Sequence, residues 1–296
     1  MSKDTQTVLN TWREQYCSLL NPVTNGIPEI SPNNNEFVRN EISSDICETD
    51  ITRFEVMKAL TKAKNGKAIG HDGIPTEVLR NESAITYLQN LFCKCFRNGL
   101  APTVWCKGII NPIPKGGNCD KRDPLSYRGI TIASSVYKLY ASILNNRLTK
   151  WSEENRLLAD CQNGFRKGRS CQDHLTSLAT LIDVRKRSNK STFIAFVDYS
   201  KAFDRVDRDL LWRKLGLRDG RFKAALKSLY RDVECCIRMN GFKTDWFNVD
   251  TGLKQGCLLS PQLFSLFADD LNADLRDIYP GINYNGERVN MLMTYA

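Results

Sequence analysis

The run Ser191 to Val206, STFIAFVDYSKAFDRV, constrains the fold more than any other stretch of the chain. Phe193 to Val197 is unbroken, apolar and strand-favouring, and it stops at Asp198, with Phe203 and Asp204 close behind. This pattern predicts a buried strand that delivers a carboxylate at its end. An ionised Asp in that place is costly unless it is paired, solvated in a cleft or bound to a cation. Asp198 is therefore either an exposed turn residue after a core strand or the first element of a charged site.

The 296 residues, 42% of them hydrophobic, suffice for two domains of ordinary size with real cores. No run approaches the roughly 18 consecutive apolar residues of a membrane span, and MSKDTQTVLN lacks the apolar core of a secretory signal. The expected location is the nucleus or cytoplasm, without secretion or membrane contact. Eleven cysteines form neither a CxxC pair nor a Cys/His cluster, which points to reduced thiols packed as small hydrophobes. With only His71 and His174, a multi-histidine metal centre or a Ser/His/Asp mechanism has little to draw on. GxSxG and GxxxxGK[ST] are both absent from the sequence.

A net charge of +9 calls for an anionic partner, and its distribution is uneven. Arg166, Lys167, Arg169, Arg185, Lys186, Arg187 and Lys190 face only Asp173 and Asp183 in their stretch, and a second basic cluster runs from Lys201 through Arg231. Charge alone leaves two readings open, a solvated basic surface or a nucleic-acid interface.

Taken in order, residues 4 to 21 carry Val8, Trp12, Tyr16, Leu19 and Leu20 near helical spacing, followed by a Pro- and Asn-rich linker. Thr52 and Glu55 form a capping-box pattern ahead of Val56, Ala59, Leu60 and Ala63. NGKAIGHDGIP, Asn65 to Pro75, is a glycine-rich turn that fits no named phosphate-loop pattern. A helix is expected over 84 to 98, ended by Asn98-Gly99. Strands are expected over Gly108 to Pro114 and Tyr127 to Ile132, then a long helix from Ala133 to Trp151. That strand pair resembles a hairpin holding Lys115 and Arg128 over an anion, or simply two solvated charges. Ser170 and Asp173 open the next helix. Beyond Asp198 come helices near 208 to 216 and 220 to 231, and strands near 233 to 239 and 244 to 250. The turn GLKQG, Gly252 to Gly256, follows, with Ser260 as N-cap and Pro261 as first residue of an apolar helix. Gln255 and Gly256 thus sit ahead of a helix N-terminus, where an amide meets a base pair or a phosphate.

Together, NGKAIGHDGIP, IINPIPKGG, YRGITIASSVYKLYASILNNRL, NGFRKGRSCQDHL, FVDYSKAFDRV and GLKQGCLLSPQLFSLF resemble successive motifs of the reverse transcriptases of non-LTR, LINE-type retrotransposons. The N-terminal VLNTWREQYCSLLNP is also similar to the segment preceding the fingers in such elements, so the resemblance covers nearly the whole chain. It implies an α+β right-hand polymerase: an N-terminal helix and linker over 1–50, fingers over 51–190, and a partial ferredoxin-like palm over 191–296. It implies RNA-directed DNA synthesis from an RNA template, a DNA primer and deoxynucleoside triphosphates, with an upstream endonuclease and a downstream thumb in the parent polypeptide. Asp198 and the Tyr199 carbonyl would hold a pair of Mg²⁺ ions. Lys115 and Arg128 would bind the triphosphate, Phe203 would lie beneath the sugar and exclude a ribose 2′-hydroxyl, and Gln255 with Gly256 would position nucleotide and template. Arg166, Lys167, Arg169, Arg185, Lys186 and Arg187 would contact nucleic acid. Phe203 as plain core packing is the competing reading.

In this family the other catalytic aspartates lie in a Tyr-x-Asp-Asp turn, and Arg288 to Ala296, RVNMLMTYA, resembles the strand leading to it. The sequence ends before that Asp-Asp, which sets a catalytically inactive nucleic-acid-binding remnant beside the polymerase reading as an expectation. Phe267-Ala268-Asp269-Asp270 has the letters of the motif but falls inside a predicted helix, where adjacent side chains diverge by about 100°.

Overall fold

The computed structural model describes residues 4–22, 41–117 and 120–271, together with short strands at 282–284 and 287–289. Helix α1, Thr5–Leu20, buries Leu9, Trp12, Tyr16 and Leu20 along one face. The Thr52–Glu55 capping box starts α2, Arg53–Lys62, and Asn81 caps α3, Glu82–Asn98, which ends at Gly99. A short α4, Thr103–Cys106, leads into β1, Lys107–Pro114, and β2, Tyr127–Ile132. The long α5, Ser135–Glu154, is capped by the Ser134 hydroxyl, and α6, Cys171–Arg187, opens with the Ser170–Asp173 capping box. Helices α7, Arg208–Lys214, and α8, Arg221–Ser228, precede β3, Glu234–Met239, β4, Phe242–Lys243, and β5, Phe247–Asn248. Helix α9, Ser260–Ala268, follows, then an antiparallel pair, β6, Ile282–Tyr284, and β7, Glu287–Val289.

The result is a mixed α+β arrangement around a mixed sheet. β1 pairs antiparallel with β2 and parallel with β3, and β3 pairs antiparallel with β4 and β5. The two-residue side-chain period of a strand assigns the faces. Ile110, Cys235, Ile237 and Phe247 pack with Trp12, Tyr16 and Leu20 of α1, while Ile109, Ile132 and Cys236 form a small cluster beneath Trp246 on the other face. The main core lies among the helices, where α5 inserts Tyr137, Tyr140, Leu144, Leu148 and Trp151 with no solvent exposure. Arg147 of α5 is internal too. Its guanidinium is 2.7 and 2.8 Å from the Glu55 carboxylate and also donates to the carbonyls of Cys47, Thr49 and Asp50.

The structure corrects the expected elements in several places. Phe193 to Val197 is neither paired nor buried among the described residues: Phe193 is 94% exposed, Phe196 87% and Val197 74%. The residues are strand-favouring as read, but burial of a strand is conferred by its neighbours, and no described strand runs beside this one. Ser260 is the first helical residue rather than the N-cap, and its hydroxyl donates to the Lys254 carbonyl at 2.7 Å. Of the strand expected over 244 to 250 only β5, Phe247–Asn248, forms; β4 lies ahead of that range, and Thr244 between them donates its N–H to the Ile237 carbonyl and accepts the Ile237 N–H at its hydroxyl. The linker over 23–40 and the residues 290–296 of the expected last strand lie outside the described residues.

Candidate active site and nucleic-acid interface

Stretches that are far apart in sequence meet beside the tip of the β1–β2 hairpin. The turn after Asp198 bends through Lys201, whose backbone is left-handed and whose ammonium donates to the Leu125 carbonyl at 2.9 Å. The GLKQG turn then runs alongside: Gly252 N–H donates to the Val206 carbonyl at 2.9 Å and Leu253 N–H to the Phe203 carbonyl at 2.7 Å. On its other side the Gln255 carbonyl accepts the Thr131 N–H of β2 at 2.7 Å. Two glycines make this approach possible. A Cβ on Gly252 would lie 2.6 Å from the Asp204 carbonyl oxygen, and one on Gly256 2.9 Å from that of Thr131, and both residues have positive φ.

Arg208 anchors the segment that feeds the turn. Its guanidinium donates to the carbonyls of Tyr230, Val249, Thr251 and Gly252 at 2.9 to 3.2 Å, so this member of the 201–231 basic cluster is an internal strut. Lys254 is buried as well. It lies over the rings of Tyr137 and Tyr230, donates to the Leu229 carbonyl at 3.1 Å, and has its pKa lowered by burial.

Asp204 is the acidic centre of the junction. It is 9% exposed, and both its oxygens accept from Gln255 Nε2, at 2.8 and 2.9 Å. Burial raises its pKa, against the Gln255 hydrogen bond and the charges of Lys201 and Lys115, which lower it. The sequence patterns pass over this pairing because the partners are 51 residues apart.

Of the expected site residues, Phe203, Gln255 and Gly256 share this junction. Phe203 is half-buried and stacks on Phe264 of α9. Asp198 and Tyr199 lie at its edge. The Tyr199 ring meets Phe264 edge-on at 6.5 Å, while the Asp198 carboxylate is exposed and makes no hydrogen bond or ion pair with another described residue. Lys115 and Arg128 are both exposed on the hairpin. Ile113 pairs with Arg128 across it, and the two-residue period returns Lys115 to that same face. The Gly66 amide of the glycine-rich turn is taken by the Glu77 carboxylate at 2.7 Å, so it offers nothing to a phosphate.

The basic stretch divides. Arg166 has only 8% of its side chain exposed and is engaged by Glu153 and by the carbonyls of Ala159 and Gln162. Arg169 pairs with Asp160, and Arg185 donates to Thr192 and Ser191, whereas Lys167, Lys186 and Arg187 are exposed. Asp269 and Asp270 do not form a paired acid site. Asp269 accepts the Ala159 N–H at 2.9 Å and Asp270 pairs with Lys214.

Among the described residues no three His, Cys, Asp or Glu side chains converge as a metal site. Asp198 and the Tyr199 carbonyl are hard oxygen donors of the kind Mg²⁺ takes, and they fit part of its shell.

Residues 113–296 match the family described as reverse transcriptase (RNA-dependent DNA polymerase). The chain is 29% identical over 245 residues to a probable RNA-directed DNA polymerase from transposon X-element of Drosophila melanogaster, covering 82% of this chain and 26% of that protein. It is 31% identical over 237 residues to a retrovirus-related Pol polyprotein from the type-1 retrotransposable element R2 of Popillia japonica, covering 78% of this chain and 32% of that protein. Against an RNA-directed DNA polymerase from mobile element jockey of Drosophila melanogaster the identity is 25% over 239 residues, 80% of this chain and 26% of the relative. The chain thus spans about a quarter to a third of the length of these relatives.

Proposed function

Because the chain belongs to the reverse transcriptase (RNA-dependent DNA polymerase) family, we propose that it forms the fingers and part of the palm of a retrotransposon polymerase that copies RNA into DNA. One observation carries this reading. The turn after Asp198, the GLKQG turn and the β1–β2 hairpin meet at one hydrogen-bonded junction, where Phe203, Gln255 and the hairpin's cations are the groups a nucleotide needs. Lys115 and Arg128 receive the triphosphate as point charge and fork. Phe203 lies beneath the sugar, and Gln255 with Gly256 faces the nucleotide and template. Asp198 and the Tyr199 carbonyl would hold divalent metal, which in such enzymes lowers the cost of the charge that develops at the attacking and leaving oxygens. Lys167, Lys186 and Arg187 contribute sequence-independent attraction to the duplex backbone.

The test is equilibrium binding of an RNA-template, DNA-primer duplex to the purified chain, with and without Mg²⁺. Salt-sensitive binding that Mg²⁺ tightens, with the Mg²⁺ effect lost in Asp198→Asn, is the expected result. Binding indifferent to salt overturns the duplex interface, and a Mg²⁺ effect that survives Asp198→Asn removes Asp198 from the metal site.

A further inference from the structure

Asp204 makes no ion pair with a described residue, although it is buried, feels the charges of Lys201 and Lys115, and lines a cavity together with Arg208 and Lys254. The donors of Arg208 and Lys254 are directed to backbone carbonyls. What Asp204 does bind is the Gln255 amide, through both carboxylate oxygens. A carboxylate has no hydrogen to donate, so only the NH₂ end of the glutamine can face it. The orientation of Gln255 is thereby fixed by chemistry. Its Oε1 points away from the carboxylate and makes no hydrogen bond to another described residue, so it is left as a free acceptor.

Asp204 also borders a cavity of about 30 Å³ that is lined by Tyr16, Gly129, Thr131 and Gln255. The Tyr16 hydroxyl is buried there without a hydrogen-bond partner, and its pKa is raised by burial and then by the charge of Asp204. A cavity of this size has room for one water molecule, and the Tyr16 hydroxyl and the Asp204 carboxylate are polar partners for it in a wall that is otherwise largely apolar. The surrounding backbone ties α1 to the same place: the Leu20 carbonyl accepts from Thr251, and the Asn21 side chain bonds Asn248 and Asp250.

We propose that Asp204 is the positioning residue of Gln255, and that Tyr16 supports it from the N-terminal helix through a bridging water. This rests on the assignment of Gln255 to the nucleotide site. The carboxylate selects one face of the glutamine amide, so the nucleotide meets an acceptor and never a donor. The N-terminal helix is then part of the substrate-orienting structure, not a separate appendage.

Two measurements test it, and one of them needs no substrate. In ¹⁵N spectra of the chain, the Gln255 side-chain NH₂ pair is expected to be displaced from the position of free glutamine and to titrate with Asp204. Asp204→Asn offers both a donor and an acceptor, so it should abolish the titration and give a second signal from the flipped amide. A Gln255 pair at the free-glutamine position, unmoved by Asp204→Asn, overturns the proposal. The second measurement is deoxynucleotide binding to the complex of the chain with an RNA/DNA duplex. Asp204→Asn and Gln255→Met should each weaken it by about tenfold, with the double variant no weaker than either. Tyr16→Phe keeps the ring and should give the same change in smaller measure. Additive effects of Asp204→Asn and Gln255→Met refute the positioning role. If the wild-type complex binds no nucleotide, the polymerase reading fails, and the spectra alone decide the position of Gln255.

Discussion

Phe203 stacks on Phe264, with ring centroids 5.0 Å apart and planes 26° from parallel, so the aromatic residue five positions after Asp198 rests on the helix that follows the GLKQG turn. The stacking joins two stretches whose only sequence-level link is their order. It makes Phe203 a packing residue, and the proposed polymerase reading adds a second role, as a surface for a sugar.

Phe203→Val separates those roles. Removing the ring should lower stability by about 1 to 4 kcal/mol, since Phe264 is left without its stacking partner. It should also admit ribonucleotides to the complex of the chain with primer and template, by opening room for a 2′-hydroxyl. Phe203→Tyr keeps the ring and should keep both stability and sugar selectivity. The readings are a melting curve and the ratio of deoxynucleotide to ribonucleotide affinity for each variant. A lowered melting temperature with an unchanged ratio assigns Phe203 to packing alone.

The run Phe193 to Val197 presents Phe193, Phe196 and Val197 to solvent, and α6 likewise exposes Leu175 and Ile182. Exposed apolar surface of this kind drives self-association. Phe196→Lys should therefore reduce light scattering of concentrated chain while leaving the melting temperature within about a degree, as for other surface substitutions. A fall of several degrees would show that Phe196 is packed in solution.

Arg166 and its exposed neighbours should behave oppositely. Arg166→Ala removes the donor that holds Glu153 and the Gln162 carbonyl and one of the two that hold the Ala159 carbonyl, so it should destabilise the fold by about 1 to 3 kcal/mol. The triple change of Lys167, Lys186 and Arg187 to Gln should leave stability alone and lower the salt slope of duplex binding, by roughly one for each phosphate that is no longer neutralised. An unaltered slope would take this face away from the duplex.

Local chemistry made much of the fold legible. The capping boxes at Thr52 and Ser170, the hairpin of β1 and β2, and the apolar stripe of α5 are written in neighbouring residues, and each lies where its pattern put it. Asp269 and Asp270 differ from their pattern, since α9 ends at Ala268, and they are kept apart by separate partners, the Ala159 N–H and Lys214. What the sequence did not reveal depends on distant partners. Phe193 to Val197 has the residues of a buried strand, but burial needs a neighbour that its own letters do not specify. Arg166 and Arg208 are cations like Lys186 until the carbonyls that hold them are known. The site was legible as a set of motifs and not as a junction. The bond from Gln255 to Asp204, the close approach at Gly252 and the unpartnered Tyr16 hydroxyl all arise only when the chain has folded.

The pairing of Arg147 with Glu55 gives a pH prediction whose sign is fixed. Burial pushes the Glu55 carboxyl up, but the hydrogen bonds from Arg147 and Thr52 and the Arg147 charge more than offset it, leaving the folded pKa below the ordinary value of 4.5. A depressed carboxyl contributes stability that is fully present above its unfolded pKa and is lost as pH falls through the folded one. Glu55→Gln keeps a capping-box side chain at that helical position but removes the charge that faces a nearly buried guanidinium. Near neutral pH it should therefore cost about 3 kcal/mol, the scale for leaving a buried charge unpaired. As the pH drops below about 4.5 the unfolded chain takes up a proton that the folded carboxyl still resists, so the difference between the two proteins should shrink until the folded carboxyl is protonated as well. Urea unfolding of both chains from pH 7 down to pH 3 measures it. A difference that stays constant over that range would mean that Glu55 acts through shape and capping, with no contribution from its charge.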